Sequence, residues 1–155
     1  MTTLREGDPA PGFTLPLDDG TSFTLSEQRG RPVVLYFYPE DDSGGCVDEN
    51  IEFSERLDQF TAAGATLVGI SPDTIDSHVR FRRKYGLKVP LAADPERTVI
   101  EAYGLWQLKK LYGREFTGLI RTSFIVDAQG KVVRIIRATR IKGHAQKVLE
   151  AVQAG

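Results

Sequence analysis

Apolar and polar residues alternate or recur along the chain so as to divide it into short elements. Phe13-Thr14-Leu15 and Ser22-Phe23-Thr24-Leu25 alternate on either side of Asp18-Asp19-Gly20. Alternation marks a half-buried strand and Asp-Gly is a tight-turn signal, so this segment predicts an N-terminal β-hairpin. Val33-Val34-Leu35-Tyr36-Phe37-Tyr38 is instead a continuous apolar run rich in β-branched and aromatic residues, which predicts a central strand buried on both faces. Past a loop from Pro39 to Gly45, the residues Phe53, Leu57 and Phe60 recur at helical spacing and Gly64 stands where a helix stops. A helix is therefore expected from Cys46 to Ala63. Thr66 to Ile70 predicts a second buried strand. Helices are predicted over Thr74 to Tyr85, with Asp73 as N-cap and Gly86 as the stop, and over Arg97 to Tyr103. Ser123 to Val126 should pair with Lys131 to Arg137 across Asp127-Ala128-Gln129-Gly130, and a last helix places Ala145, Val148, Leu149 and Val152 on one face.

The order is a β-hairpin followed by β-α-β-α-α-β-β-α. That is an α/β pattern with helices flanking a central mixed sheet, and it predicts a thioredoxin-like fold with an N-terminal β-hairpin extension. No repeat, linker or low-complexity tract interrupts it, so residues 1–155 are expected to form a single domain. A chain of this length buries roughly 70% of its unfolded surface and needs no staple. Twenty Lys and Arg face 21 Asp and Glu. No basic field exists to draw in nucleic acid or an anionic membrane, and neither is an expected partner. No apolar run approaches the ~18 residues of a span. The opening Met1-Thr2-Thr3-Leu4-Arg5-Glu6-Gly7 lacks the apolar core of a secretory leader. A single cysteine forms no internal disulfide framework, which fits a reducing compartment, so the expected location is cytoplasmic.

That cysteine, Cys46, follows the central strand through the loop Pro39 to Gly45 and opens a helix. The first N–H groups of a helix lack intrahelical partners and present partial positive charge, which stabilises a thiolate, the nucleophilic form of the side chain. By position alone, Cys46 is as easily a small buried hydrophobe.

Tyr36-Phe37-Tyr38-Pro39-Glu40-Asp41-Asp42-Ser43-Gly44-Gly45-Cys46 resembles the active-site loop of peroxiredoxins, in which Pro, then Thr or Ser, then Cys stand at this spacing. The surrounding chain is similar to the Q-type (bacterioferritin comigratory protein) branch. Gly7-Asp8-Pro9-Ala10-Pro11 with Phe13, Gly69-Ile70-Ser71 with Asp73, and Ile120-Arg121-Thr122-Ser123-Phe124-Ile125-Val126-Asp127 extend the likeness over nearly the whole chain. The resemblance implies a thiol-dependent peroxidase acting on hydrogen peroxide and small organic hydroperoxides. It makes Cys46 the peroxidatic thiolate and Arg121 the cation that keeps it ionised and binds the peroxide. Ser43 becomes a hydroxyl partner of the peroxide oxygens, and Pro39 the shield against bulk water. The backbone N–H groups of Cys46 and Gly45 add donors. No cofactor and no metal is implied, and the relatives suggest a monomer.

Three departures qualify this picture. Where Q-type members carry a resolving cysteine, this chain has Ile51 or Arg82, so a sulfenic acid on Cys46 must be resolved by an external thiol: thioredoxin, glutaredoxin or a low-molecular-weight thiol. Ser43 replaces the commoner Thr and loses a methyl that stiffens χ1. Gly44 stands where Pro is usual, so the Gly44-Gly45 turn is expected to be loose and the segment around Cys46 to open easily. The missing resolving cysteine also keeps a second reading in play, a redox sensor or non-catalytic thioredoxin-fold binding module. A disulfide reductase is disfavoured because the chain has no Cys-x-x-Cys.

Other residues take plain readings. Glu49 fits either a partner for an Arg or an acidic first turn favoured by the helix dipole. Asp41, Asp42, Asp48 and Glu49 lack the His or Cys spacing of a metal cage. His78 and His144 are expected on helix surfaces or at caps, and Trp106 in packing or as a surface anchor.

Overall fold

The computed structural model describes residues 4–155; Met1–Thr3, part of the opening read as lacking a leader, lie outside the described residues. Strand β1 (Thr14–Pro16) pairs antiparallel with β2 (Ser22–Thr24), as the alternation predicts. A 3₁₀ turn over Leu25–Gln28 leads to β3 (Val33–Phe37), every residue of which is buried. Next come α1 (Gly44–Glu55), α2 (Leu57–Ala62), β4 (Thr66–Ser71), α3 (Ile75–Tyr85), β5 (Leu91–Ala93) and α4 (Thr98–Ala102). The chain closes with β6 (Trp106–Leu111), β7 (Arg114–Leu119), β8 (Thr122–Val126), β9 (Val132–Arg137) and α5 (His144–Ala154).

The main sheet runs β5-β4-β3-β8-β9, with β4 parallel to β3 and β5, and β8 antiparallel to β3 and β9. Because side chains on a strand point alternately to the two faces, β3 feeds two cores. Leu35 and Phe37 join Val68, Ile70, Phe124, Leu15, Phe23 and Tyr103 on the face covered by the N-terminal hairpin and α4. Val34, Tyr36 and Tyr38 join Phe53, Phe60, Phe81, Val148 and Leu149 on the face covered by the other four helices. Cys46 belongs to this second core.

One close approach ties the sheet to α1. A Cβ on Gly69, the β4 partner of Tyr36, would lie 2.7 Å from the Tyr36 ring. Only glycine lets the tyrosine cross there. Its hydroxyl reaches α1 and donates to Asn50 Oδ1 at 2.8 Å, while Asn50 Nδ2 donates to the Cys46 carbonyl at 2.9 Å.

Four local features differ from the sequence expectation. The helix expected over Cys46 to Ala63 starts at Gly44 and breaks at Arg56, whose N–H turns back to Phe53 O while its guanidinium caps Glu52 O. The N-cap of α3 is Thr74, whose hydroxyl accepts from Ser77 N, and not Asp73. Gly86 does end α3, in the left-handed region at φ 63°. Strand β5 and the β6–β7 hairpin carry no clear signal: the hairpin is largely solvated, with Leu108 61% and Tyr112 95% exposed. No helix among the described residues is long and apolar enough to cross a membrane.

Candidate active site around Cys46

Cys46 lies in the first turn of α1, after Gly44 and Gly45, and is fully buried. Val47 N bonds to Ser43 O, so the N–H groups of Gly44, Gly45 and Cys46 are those left without intrahelical acceptors. They point their partial charge toward the space before the helix.

Arg121 sits between β7 and β8, its carbonyl held by Ala138 N at 3.0 Å. One guanidinium nitrogen, Nη1, lies 3.2 Å from Cys46 Sγ and donates to Glu49 Oε1 at 2.7 Å. Gly45 lies against the guanidinium and Ile141: a Cβ there would fall 2.5 Å from Ile141 Cδ1 and 3.4 Å from Arg121 Nη2. Burial works against the Arg121 charge, but its partners Glu49 and Cys46 outweigh it and hold the guanidinium above its ordinary value. Burial pushes the Glu49 carboxyl up to about 7, against the pull of Arg121. Its second oxygen, Oε2, has no hydrogen-bond partner among the described residues. Of the two readings of Glu49, the structure favours the partner of Arg121.

The other expected site residues are less intimately placed. Ser43 is the N-cap residue of α1, but its hydroxyl donates to Glu40 O at 3.0 Å and caps nothing. Its lone pairs remain for a ligand. Pro39 is half-buried at the start of the loop, directly after Tyr38. No pattern in the sequence points to Lys109 on β6. It is half-buried and held below its ordinary value by burial and then by Arg121, with Cys46 opposing, so a second cation stands within electrostatic reach of the thiol. Its place follows from the hairpin, which the sequence does not announce.

The positions of the missing resolving cysteine are occupied structurally. Ile51 packs against the second core, and Arg82 Nη1 donates to Asp18 Oδ2 at 2.9 Å. Both histidines correct the surface expectation. His78 is wholly buried between Asp41 and the Ala92 carbonyl. His144 is buried at the start of α5, 2.8 Å from Ser123 Oγ, and burial, then Lys147 and Arg121, lower it to about 4. Isolated polar residues in a helix read as surface, and only partners distant in sequence pay for taking them inside. Trp106 is half-buried with the Arg97 guanidinium 4.3 Å from its ring centre.

The chain matches the AhpC/TSA family over residues 6–135. A Mycobacterium tuberculosis protein, provisionally named a peroxiredoxin, is 42% identical over 147 residues, 95% of this chain and 94% of that one. The peroxiredoxin Bcp of Bacillus subtilis is 34% identical over 151 residues, 97% of this chain and 96% of its own. Among solved structures, the bacterioferritin comigratory protein of Xanthomonas campestris superposes with a TM-score of 0.86 at 35% identity, over 92% of this chain and 90% of that chain. That structure concerns alkyl peroxide reduction and a trapped intermediate.

Proposed function

The chain belongs to the AhpC/TSA family of peroxiredoxins and is a thiol peroxidase on a thioredoxin-like α/β fold, and from that premise we propose that Cys46 is its peroxidatic residue, with Arg121, Ser43 and Pro39 forming the peroxide pocket. The observation that carries the assignment is the single Arg121 nitrogen in contact with both Cys46 Sγ and Glu49 Oε1. A guanidinium so anchored faces the sulfur with its charge already oriented, and charge-assisted donors of this kind are the strong ones.

The Cys46 thiolate attacks the nearer oxygen of a hydroperoxide. An S–O bond forms, the O–O bond breaks, and its electron pair leaves on the distal oxygen, which takes a proton to become water or an alcohol. Arg121 and the free N–H groups of Gly45 and Cys46 meet the negative charge as it develops, which lowers the transition state more than the ground state. Cys46 is left as a sulfenic acid. With no second cysteine in the chain, resolution is by an external thiol: one thiol forms a mixed disulfide with loss of water, and a second releases the Cys46 thiol. Hydrogen peroxide and small organic hydroperoxides are the proposed substrates, a monomer in the cytoplasm the proposed working form.

Stopped-flow oxidation by one equivalent of hydrogen peroxide, read by Trp106 fluorescence and by intact mass, tests the assignment. Rapid gain of one oxygen is expected, slowed by about a hundredfold or more in Arg121→Ala, the scale of losing an oriented donor. A slow reaction indifferent to Arg121 would remove Cys46 from the role and favour the binding-module reading. Turnover with an added thiol system separates a peroxidase from a sensor that is oxidised once.

A further inference from the structure

The loop that delivers Cys46 is gripped by groups the peroxidase chemistry does not use. Asp41 is buried; its Oδ1 accepts from the Tyr38 hydroxyl at 2.7 Å and its Oδ2 from Ser77 Oγ at 2.7 Å. His78 Nδ1 lies 2.7 Å from the same Oδ2, and His78 Nε2 lies 3.0 Å from Ala92 O on β5. The Asp41 backbone N–H donates to Asp73 Oδ2 at 2.8 Å, an oxygen that also takes the Ser71 hydroxyl. The next residue, Asp42, adopts φ 58° and takes Lys84 Nζ at 2.8 Å and Tyr85 OH at 2.6 Å. Helix α3 thus holds two successive loop residues.

The proton count at His78 is informative. A neutral imidazole offers one N–H and one lone pair. Here both nitrogens face oxygen acceptors in a site with no solvent exposure. A bare lone pair against the Ala92 carbonyl would be repulsive and unpaired, a costly arrangement in a dry interior. Satisfying both ring contacts takes one hydrogen between Nδ1 and Asp41 Oδ2 and another between Nε2 and Ala92 O.

We propose that Asp41 and His78 are a positioning pair for the peroxidase reaction: a buried, proton-sharing latch between the Pro39–Gly45 loop and α3 that sets the pocket around Cys46. Neither touches the sulfur; they act through the loop that ends at Ser43 and the Gly44-Gly45 turn. Gly44 and Gly45, which open α1, have the widest intrinsic backbone freedom of the segment, and the Ser43 side chain bonds only to Glu40 O. A displacement of about 1 Å at the reacting atom can cost a hundredfold in rate, so an anchor upstream of two glycines has a kinetic effect. The proposal rests on Cys46 being the peroxidatic residue.

The test uses His78→Phe, which fills the site without donors, and Asp41→Asn, which keeps the acceptor. Nitrogen-15 spectra of the wild type should show a proton on the His78 nitrogen facing Ala92 and a second proton between the other ring nitrogen and Asp41. In His78→Phe, oxidation of Cys46 by hydrogen peroxide should slow by about tenfold or more. Amides of 41–46 should lose hydrogen-exchange protection while those of β3 and β8 keep theirs. Asp41→Asn should recover part of the rate. An unprotonated nitrogen facing Ala92, or a folded His78→Phe within twofold of the wild-type rate, overturns the proposal. Should His78→Phe not fold, Asp41→Ala and Ser77→Ala are read by the same rate and exchange criteria. A slow wild type would count against Cys46 itself, while the ring protonation and loop exchange still judge the pair.

Discussion

Arg121 serves two acidic partners at once, and the charge of one of them, the buried Glu49, is open to change near neutrality. Its carboxyl is raised from 4.5 to about 7 by burial, so the folded state binds its proton more tightly than the unfolded state does. The stability this confers is full below pH 4.5 and is lost as pH rises through about 7. Urea titrations should show the wild type losing ground against Glu49→Gln over that window. His144 has the opposite sign. Burial lowers it from 6.5 to about 4, so its contribution is present above pH 6.5 and lost as pH falls through 4. Replacing it by Gln should spare the protein an acid loss of up to about 3 kcal/mol. An unchanged pH profile in His144→Gln would show that His144 titrates normally.

At the scale of elements, the start of α1 and the body of α3 carry opposite designs. Gly44 occupies the first helical position with open space around its Cα, and Ser43 before it is extended at ψ 153°. Proline is favoured there, since that N–H has no helical acceptor and the preceding residue already avoids the helical region. Gly44→Pro should stabilise the protein by about 0.4–1 kcal/mol through the unfolded state. It should also slow exchange of the first-turn amides; unchanged protection at Cys46 would mean the loop is already held by other contacts. Gly45 has less room. Gly45→Ala would force the Ile141 side chain to shift beside Arg121, and oxidation of Cys46 should fall by about tenfold or more, read by the same stopped-flow assay. Helix α3, by contrast, is pinned at His78, Lys84 and Tyr85 to the loop and at Arg82 to Asp18. A chain with Arg82 in place of a resolving cysteine has no disulfide for which α3 must open.

For the whole molecule, the site is the place where the two halves of the sheet meet. Cys46 arrives from the parallel side, after β3, and Arg121 from the antiparallel side, before β8, and β3 pairs with β8 from Val33↔Val126 to Phe37↔Thr122. The core on that side is aromatic. The rings of Tyr36 and Phe53 stack 4.0 Å apart and within 9° of parallel, and Tyr36 hands its hydroxyl to Asn50 behind Cys46. Phe53→Ala should therefore cost about 3–5 kcal/mol in urea unfolding. It should slow Cys46 oxidation as well, because the same stack supports α1. Full stability in that variant would show that the core refills the cavity.

Much of this was legible in the linear chain because it is local. The apolar run of β3, the helical repeat of Phe53 and Phe60, the stops at Gly64 and Gly86, and the 122–137 hairpin depend on neighbours within a few residues, whose periodicity states which face is buried. The proposed site residues came from matches within two short stretches, Pro39 to Cys46 and the segment around Arg121, each resembling its peroxiredoxin counterpart. What only the tertiary structure decided involves partners far apart in sequence. Arg121 reaches across the sheet to Cys46 and Glu49, and Ile141 closes over Gly45. His78 enters the core because Asp41 and Ala92 meet both of its nitrogens, and the solvated β6–β7 hairpin brings Lys109 near the thiol. A buried polar side chain or an exposed hairpin leaves no hydrophobic period behind it. Its cost or gain is set by groups that only the folded chain brings together.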